Sequence, residues 1–132
     1  MKVFFDADVV IENLRGREAA RSLMRQVAAN GDQLCMAAPQ RAEILFYMRP
    51  NETQVTLAIL GQFATESLTQ EMVDVGAAYF RRWHPSHGID QNDALLAGTV
   101  RITGGRIITQ NVRHFPMTDI AVEQGWDPSA LG

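Results

Sequence analysis

Apolar and polar positions along the chain fall into blocks that predict strands and helices in turn. The first block places apolar residues at 3–5 and again at 9–11, which predicts a buried first strand and the turn that leaves it. Short apolar runs at 34–38 and 106–109 predict a second and a third strand. A shorter run at 120–122 is a candidate fourth strand.

The longer segments between these runs repeat apolar residues at the spacing of an amphipathic helix. Pro39 suits the first position of one such helix, Thr69 is a good N-cap for another, and the HPSHG stretch is expected to break that second helix. The helices are predicted over residues 17–29, 39–48, 52–66, 70–83 and 90–102. Strands that alternate with helices predict an α/β fold, a small parallel β-sheet flanked by several α-helices, in a single domain over residues 1–132.

Length and composition agree with a globular domain that folds without a disulfide. The chain has 132 residues, of which 46% are hydrophobic and 20% charged. No segment reaches the roughly 18–20 apolar residues of a membrane span, and acidic residues interrupt the first apolar run, which argues against a secretory signal. The single cysteine suits a reducing compartment. We therefore expect a cytoplasmic protein with no membrane partner.

The charge balance gives no basic footprint for nucleic acid, because the net charge is −3 and the sequence pI about 5.5. Lys2 is the only lysine, and the other eleven cationic residues are arginines. Arginine is the better bidentate ligand for phosphate, although a GC-rich genome would produce the same bias. A nucleic-acid partner therefore requires metal ions or local arginines near the site.

Acidic residues stand where strands end or helices begin. Asp6 follows the first strand, Glu43 lies about one turn into the helix after the second, and Asp93 lies in the first turn of the helix before the third. Taken alone, Asp93 could complete a capping box with Asp90, and Glu43 could be a solvated helix residue. Because ligand sites in parallel sheets lie at the carboxyl ends of the strands, the three acids together predict a shared crevice.

Several carboxylates in one crevice repel one another, and without a cation at least one of them would hold a proton. A hard divalent cation such as Mg²⁺ or Mn²⁺ relieves this repulsion, because it prefers oxygen ligands. Such an ion acidifies a bound water or stabilises charge on a phosphate. The acids therefore predict metal-assisted hydrolysis of phosphodiesters.

Four segments follow one another in the order FFDADVV, AAPQRAEILF, NDALLAG and RIITQNVRHF. In this order they resemble the PIN-domain ribonucleases and, more narrowly, the VapC-type toxins of bacterial toxin–antitoxin pairs. In that family an apolar strand runs into Asp-Thr-Asn/Ser-Val, a helix carries an Ala-Glu-Leu-like motif, and a second helix carries Asp-Ala-Leu-Ile-Ala. The last block of the family reads roughly Leu-Val-Thr-x-Asn-x-x-x-Phe. The matching residues here are Asp6, Asp8, Glu43, Asp93, Thr109, Asn111 and Phe115.

The resemblance implies a PIN fold and endonucleolytic cleavage of RNA with Mg²⁺, for which Mn²⁺ is a possible substitute. It makes Asp6, Glu43 and Asp93 both the catalytic residues and the metal ligands, and the expected second-tier members of the site are Asp8, Asn111 and Asp90. It also implies a cognate VapB-like antitoxin and a homodimer.

The chain departs from the family pattern at several positions. Ala7 stands where the family has a hydroxyl, and Asp8 adds a charge where the family has Asn or Ser. The family's fourth acid is absent, since Asn111 and His114 occupy that region. Asp8 or Asp90 could supply the missing carboxylate, so the number of metal ions stays open.

Two other functions remain open from the sequence. A degenerate PIN domain would bind RNA or a protein partner without cleavage. The DxD string also resembles the first motif of phosphatases of the haloacid-dehalogenase type, in which Asp6 would be the nucleophile and Asp8 the acid/base. Those phosphatases need a lysine late in the chain, and the only lysine here is Lys2.

Overall fold

The computed structural model describes residues 1–129 and places a sheet of five strands at the centre of the protein. All neighbouring strands are parallel, in the order β3-β2-β1-β4-β5. The strands are β1 (Lys2–Phe5), β2 (Gln33–Ala37), β3 (Ala64–Glu66), β4 (Arg106–Thr109) and β5 (Ala121–Gln124). The predicted α/β fold with a small parallel sheet is confirmed.

Six α-helices flank the sheet in the described part of the chain. They are α1 (Ala7–Leu14), α2 (Glu18–Ala29), α3 (Ala38–Phe46), α4 (Thr53–Leu60), α5 (Gln70–His87) and α6 (Gln91–Thr103). Short 3₁₀ turns occupy Pro50–Glu52 and Val112–His114. Within residues 1–129, none of the helices combines the length and the apolar composition that a bilayer crossing requires.

Strand β1 is buried on both faces, which explains why its sequence is a continuous apolar run. Val3 and Phe5 pack into one hydrophobic cluster together with Val9 of α1. Phe4 points to the opposite side and packs with Leu96 of α6. Helices therefore cover both faces of the sheet, and the carboxyl end of β1 emerges between them.

Helices α5 and α6 approach most closely at a pair of glycines. A Cβ atom on Gly98 would overlap the carbonyl oxygen of Met72 and would lie 2.8 Å from the backbone nitrogen of Gly76. Only a glycine at position 98 permits this approach. The close packing fixes α6, whose first turn carries Asp93.

The prediction that residues 9–11 belong to the first strand and its turn is wrong, because residues 7–14 form helix α1. Asp6 is the N-cap of this helix, and its side chain accepts a hydrogen bond from the backbone N–H of Ala7 at 2.8 Å. The β-branched Val9 and Val10, which suggested a strand, are buried together with Asn13 on one face of this helix.

Two further boundaries differ from the predictions. The segment predicted as a helix over 52–66 contains α4 and then strand β3, a three-residue edge strand. Helix α5 does not break at the HPSHG stretch but runs through Pro85 and ends at His87, where the C-cap Gly88 has a left-handed φ of 65°. Proline near the last turn removes a single intrahelical hydrogen bond, so the helix tolerates it there. The predicted N-cap, Thr69, is confirmed, since its hydroxyl accepts from the backbone N–H of Met72 at 3.3 Å.

The strand order places a topological switch point beside β1. The chain moves from β1 to β2 and β3 on one side, and then returns through α5 and α6 to β4 on the other side. Ligand sites in open parallel sheets lie outside the carboxyl ends of the strands at such a switch point. In this protein that position is the gap between the ends of β1 and β4.

Candidate metal centre

Asp6 lies at the switch point and links β1 to β4. Its Oδ1 accepts from the N–H of Ala7, and its Oδ2 accepts from the hydroxyl of Thr109, the last residue of β4, at 2.8 Å. Asp6 is only 8% exposed, and Thr109 is fully buried. Two hydrogen bonds therefore fix a carboxylate that is almost out of contact with solvent.

Asp93 is equally buried, at 8% exposure, in the first turn of α6. Its N–H donates to the carboxylate of Asp90 at 2.8 Å, and its Oδ2 accepts from the N–H of Asp90 at 3.1 Å. The capping-box interpretation of these two residues is therefore correct. The same Oδ2 also lies 3.3 Å from Nδ1 of His114, so this carboxylate has a contact in addition to its role in the capping box.

Asp8 brings a third carboxylate to the same end of the sheet. Its Oδ2 accepts from the backbone N–H of Gln110, the residue after β4, at 3.0 Å. Its Oδ1 is buried and has no hydrogen-bond partner among residues 1–129. A buried carboxylate oxygen without a partner is costly, and a cation or a water molecule would satisfy it.

Glu43 forms a hydrogen bond with the neighbour of Asp93 and, within residues 1–129, not with Asp93 itself. It is half-buried on α3, and its Oε1 accepts from the side-chain amide of Asn92 at 3.0 Å. A second bond, from the amide of Gln40 to the carbonyl oxygen of Asn92 at 2.9 Å, joins α3 to α6 at the same residue. Glu43 is therefore linked to Asn92, the residue that precedes Asp93, and among residues 1–129 it has no direct hydrogen bond to Asp6 or Asp93.

Asn111 borders the site with its backbone. Its N–H donates to the hydroxyl oxygen of Thr109 at 3.0 Å, and that hydroxyl donates in turn to Asp6. The Asn111 side chain is exposed. Asn111 thus orients Thr109, and through it Asp6.

Burial and mutual repulsion raise the pKa values of the acids. Burial, and then the charge of Asp8, raise the pKa of Asp6 to about 8, with a smaller contribution from the charge of Asp93. Burial, followed by the charge of Asp90, raises the pKa of Asp93 to about 6, although its backbone hydrogen bond opposes this. Burial also raises the pKa of Asp8. The repulsion shows that carboxylates from α1 and α6 share one electrostatic environment.

These features fit a hard divalent cation. The available ligands are carboxylate oxygens, one of them buried without a hydrogen-bond partner among residues 1–129. Burial and repulsion between the acids disfavour their ionised forms, and a cation would offset both effects. Within residues 1–129, no group of three His, Cys, Asp or Glu side chains lies close enough together to hold an ion without rearrangement. Binding therefore requires the carboxylates to draw together around it.

Several residues that build the site were not identified as members from the sequence. Thr109 was noted only as a family match, and nothing marked Gln110 and Asn92 as partners of the acids. Thr109 and Gln110 act across 103 and 102 residues of chain, a separation that no local pattern encodes. The one available signal is position, because both stand where β4 ends.

Comparison with solved structures supports this fold. The DNA-bound VapBC from Salmonella typhimurium superposes with a TM-score of 0.79 at 16% identity, over 96% of this chain and 99% of that one. VapBC2 from Rickettsia felis, bound to a DNA fragment from its promoter, superposes with a TM-score of 0.77 at 15% identity, over 96% and 100% of the two chains. At these identities the similarity establishes the fold.

Sequence comparison establishes the family. No family model matches the chain. Ribonuclease VapC19 of Mycobacterium tuberculosis is 32% identical over 113 residues, which cover 85% of this chain and 90% of the relative. Ribonuclease VapC10 of the same organism is 31% identical over 116 residues, which cover 87% and 86%. The chain therefore belongs to the family of VapC ribonucleases.

Proposed function

We propose that this protein is a metal-dependent endoribonuclease, the toxin component of a VapBC-type toxin–antitoxin pair, that hydrolyses phosphodiester bonds of RNA. The family implies a divalent metal requirement, and we propose Mg²⁺ as the ion, with Mn²⁺ as a substitute. The observation that carries the proposal is the pair of buried acids, Asp6 and Asp93, at the switch point of the sheet. Their raised pKa values are the cost that a bound cation would remove.

Each residue of the site has a proposed task. Asp6, Asp93 and Glu43 would hold the ion. Asp8 would be a second-tier carboxylate, whose Oδ1, unpartnered within residues 1–129, could bind the ion or a water molecule beside it. When bound, a divalent ion stabilises negative charge on a phosphate and makes water more acidic.

Two hydrogen bonds keep the acids in place for that task. The hydroxyl of Thr109 orients the carboxylate of Asp6, and the backbone N–H of Asp90 orients that of Asp93. Burial excludes bulk water from both carboxylates, which strengthens their interaction with a cation.

The partners follow from the family. We propose a cognate VapB-like antitoxin, because the solved structures with this fold include VapBC complexes. We also propose a homodimer, by resemblance to the VapC-type toxins. An RNA substrate and a single buried, unpaired cysteine agree with action in the cytoplasm.

The phosphatase alternative finds no support in the position of Lys2. This lysine begins β1, at the end of the strand opposite to Asp6, and its Nζ is paired with Glu66 at 3.2 Å. A phosphatase of the haloacid-dehalogenase type needs a lysine beside its nucleophile.

A cleavage assay with controlled metal tests the proposal. We expect the purified protein to cut single-stranded RNA internally in Mg²⁺, to lose this activity completely in excess EDTA, and to regain it when Mg²⁺ or Mn²⁺ is restored. The products should carry 5′-phosphates, which ligation of a 3′-hydroxyl adaptor detects. Binding of RNA without any cleavage would instead identify a degenerate, non-cleaving PIN domain, and cleavage that resists EDTA would contradict the metal requirement.

A further inference from the structure

A pocket of about 240 Å³ adjoins the acids at the carboxyl end of β4. It lies between helix α1, the residue that precedes α2, and the segment that follows β5. Its lining residues are Asp8, Glu12, Arg17, Gln110, Trp126 and Pro128. Asp8 belongs both to this pocket and to the candidate metal centre, so the two adjoin each other.

Arg17 is the one cation in the lining of this pocket. Its guanidinium carbon lies 5.7 Å from the centroid of the Trp126 ring, within the range of a cation–π interaction. Its Nε is buried and has no hydrogen-bond partner among residues 1–129, and within that part of the chain Arg17 forms no ion pair. A buried charged donor without an acceptor calls for one. Arg25 and Arg101, in contrast, are each paired with a carboxylate.

Gln110 holds the segment that carries Trp126, the aromatic neighbour of Arg17. Its Oε1 accepts from the backbone N–H groups of Gly125 and Trp126 at 2.9 and 3.1 Å, and its Nε2 donates to the carbonyl oxygen of Trp126 at 3.0 Å. Its own backbone N–H donates to Asp8. One residue therefore anchors both the indole that supports Arg17 and a carboxylate of the candidate metal centre.

We propose that Arg17 binds a backbone phosphate of the RNA next to the phosphodiester that is cut, with Trp126 holding the guanidinium in place. The inference rests on the proposed ribonuclease function. An RNA strand that presents one phosphate to the acids continues past them and meets the adjoining pocket. Arginine offers a planar fork of donors that matches phosphate, and within residues 1–129 no carboxylate forms an ion pair with Arg17 and competes for them.

The charge distribution favours a local cation as the contact for RNA. The chain has a net charge of −3, and Asp8 and Glu12 line the same pocket, so RNA is not attracted by the overall field. A carboxylate of a protein ligand would satisfy the same guanidinium. RNA is favoured because the pocket is continuous with the acids that would act on the phosphodiester backbone.

The test compares two substitutions that remove the same charge. Arg17→Gln and Arg21→Gln are made in an Asp6→Asn background, which is expected not to cleave. Arg21 lies in the first turns of α2, four residues after Arg17, and lines a different groove. The affinity for a fluorescein-labelled single-stranded RNA of about 12 nucleotides is measured by anisotropy at a series of salt concentrations.

We expect Arg17→Gln to weaken binding about tenfold and to flatten the slope of log K against log salt by about 0.7, the amount for one phosphate contact on a single strand. Arg21→Gln should leave both quantities near those of the parent. Arg17→Lys keeps the charge and should retain the slope with a partial loss of affinity, which separates phosphate binding from a change in folding. In the cleaving wild-type background, Arg17→Gln should raise KM far more than it lowers kcat.

The outcomes separate this inference from the proposed function. If the parent binds RNA and the wild type cuts it, while Arg17→Gln matches Arg21→Gln in affinity and slope, the phosphate site is overturned and the pocket is left to a protein ligand. If the parent binds no RNA and the wild type does not cut it, the ribonuclease function fails, and this inference fails with it.

Discussion

The substitution Asp6→Asn is expected to reduce RNA cleavage about a thousandfold or more, because loss of a charged metal ligand forfeits several kcal/mol of charge stabilisation. The variant should keep its fold. An asparagine amide oxygen can accept from the N–H of Ala7, and its NH₂ group can donate to the hydroxyl of Thr109 where the carboxylate now accepts. The measurement is kcat/KM on single-stranded RNA at saturating Mg²⁺.

The same substitution should raise the melting temperature of the metal-free protein by several degrees. Burial and the charges of Asp8 and Asp93 raise the pKa of Asp6 to about 8, so the ionised carboxylate destabilises the folded state. Asp74→Asn is the matched control, since it removes the same charge from an exposed position on α5. Undiminished cleavage by Asp6→Asn would remove this residue from the site, and a large loss of stability would assign it a purely structural role.

Divalent cations are expected to stabilise the protein far more at about pH 8 than at about pH 5. In EDTA, the folded protein holds a proton on Asp6, whose pKa rises from the ordinary 3.8 to about 8, while the unfolded chain has already released it. The free energy of unfolding therefore falls as pH rises through this range. Asp93, with a pKa raised to about 6, contributes with the same sign.

A bound cation reverses this trend, because it binds only the ionised carboxylates and competes with the protons. Melting curves at both pH values, in EDTA and in Mg²⁺ or Mn²⁺, measure the effect. In the Asp6→Asn variant the fall of stability with pH in EDTA should be much smaller. An equal metal-induced shift at both pH values would show that the ion binds elsewhere.

The central strands were predictable because strands that are buried on both faces have continuous apolar sequences. Strands β1, β2 and β4 are covered on both faces, and a parallel strand in that position needs no polar alternation. Strand β3 was not predictable, since its three residues lie at the sheet edge with Ala64 and Thr65 exposed.

Helix α1 shows how tertiary context overrides local preference. Val9, Val10 and Ile11 favour a strand by their branched side chains. The N-cap at Asp6 and the burial of one helical face decide otherwise. An aspartate before the apolar run is a typical N-cap, but from the sequence Asp6 was assigned only to the metal site. In the structure Asp6 caps α1 and also lies in the candidate metal centre.

The position of Asp6 and Asp93 at the carboxyl end of the sheet was predictable, and their contacts were not. Once a parallel α/β sheet is inferred from the sequence, the rule that ligands lie at strand ends points to Asp6 and Asp93. The bond from Asn92 to Glu43 and the bond from Gln110 to Asp8 depend on how distant helices and strands are placed. Such links follow from packing, which a single sequence does not reveal.

The proposed ribonuclease activity depends on a divalent cation shared by carboxylates from separate elements. Anomalous diffraction from a crystal soaked in Mn²⁺ tests this most directly. We predict a manganese peak with oxygens of both Asp6 and Asp93 at coordination distances of about 2.1–2.2 Å. At saturating Mn²⁺, carboxylates that stay uncoordinated, with no peak between them, would contradict it.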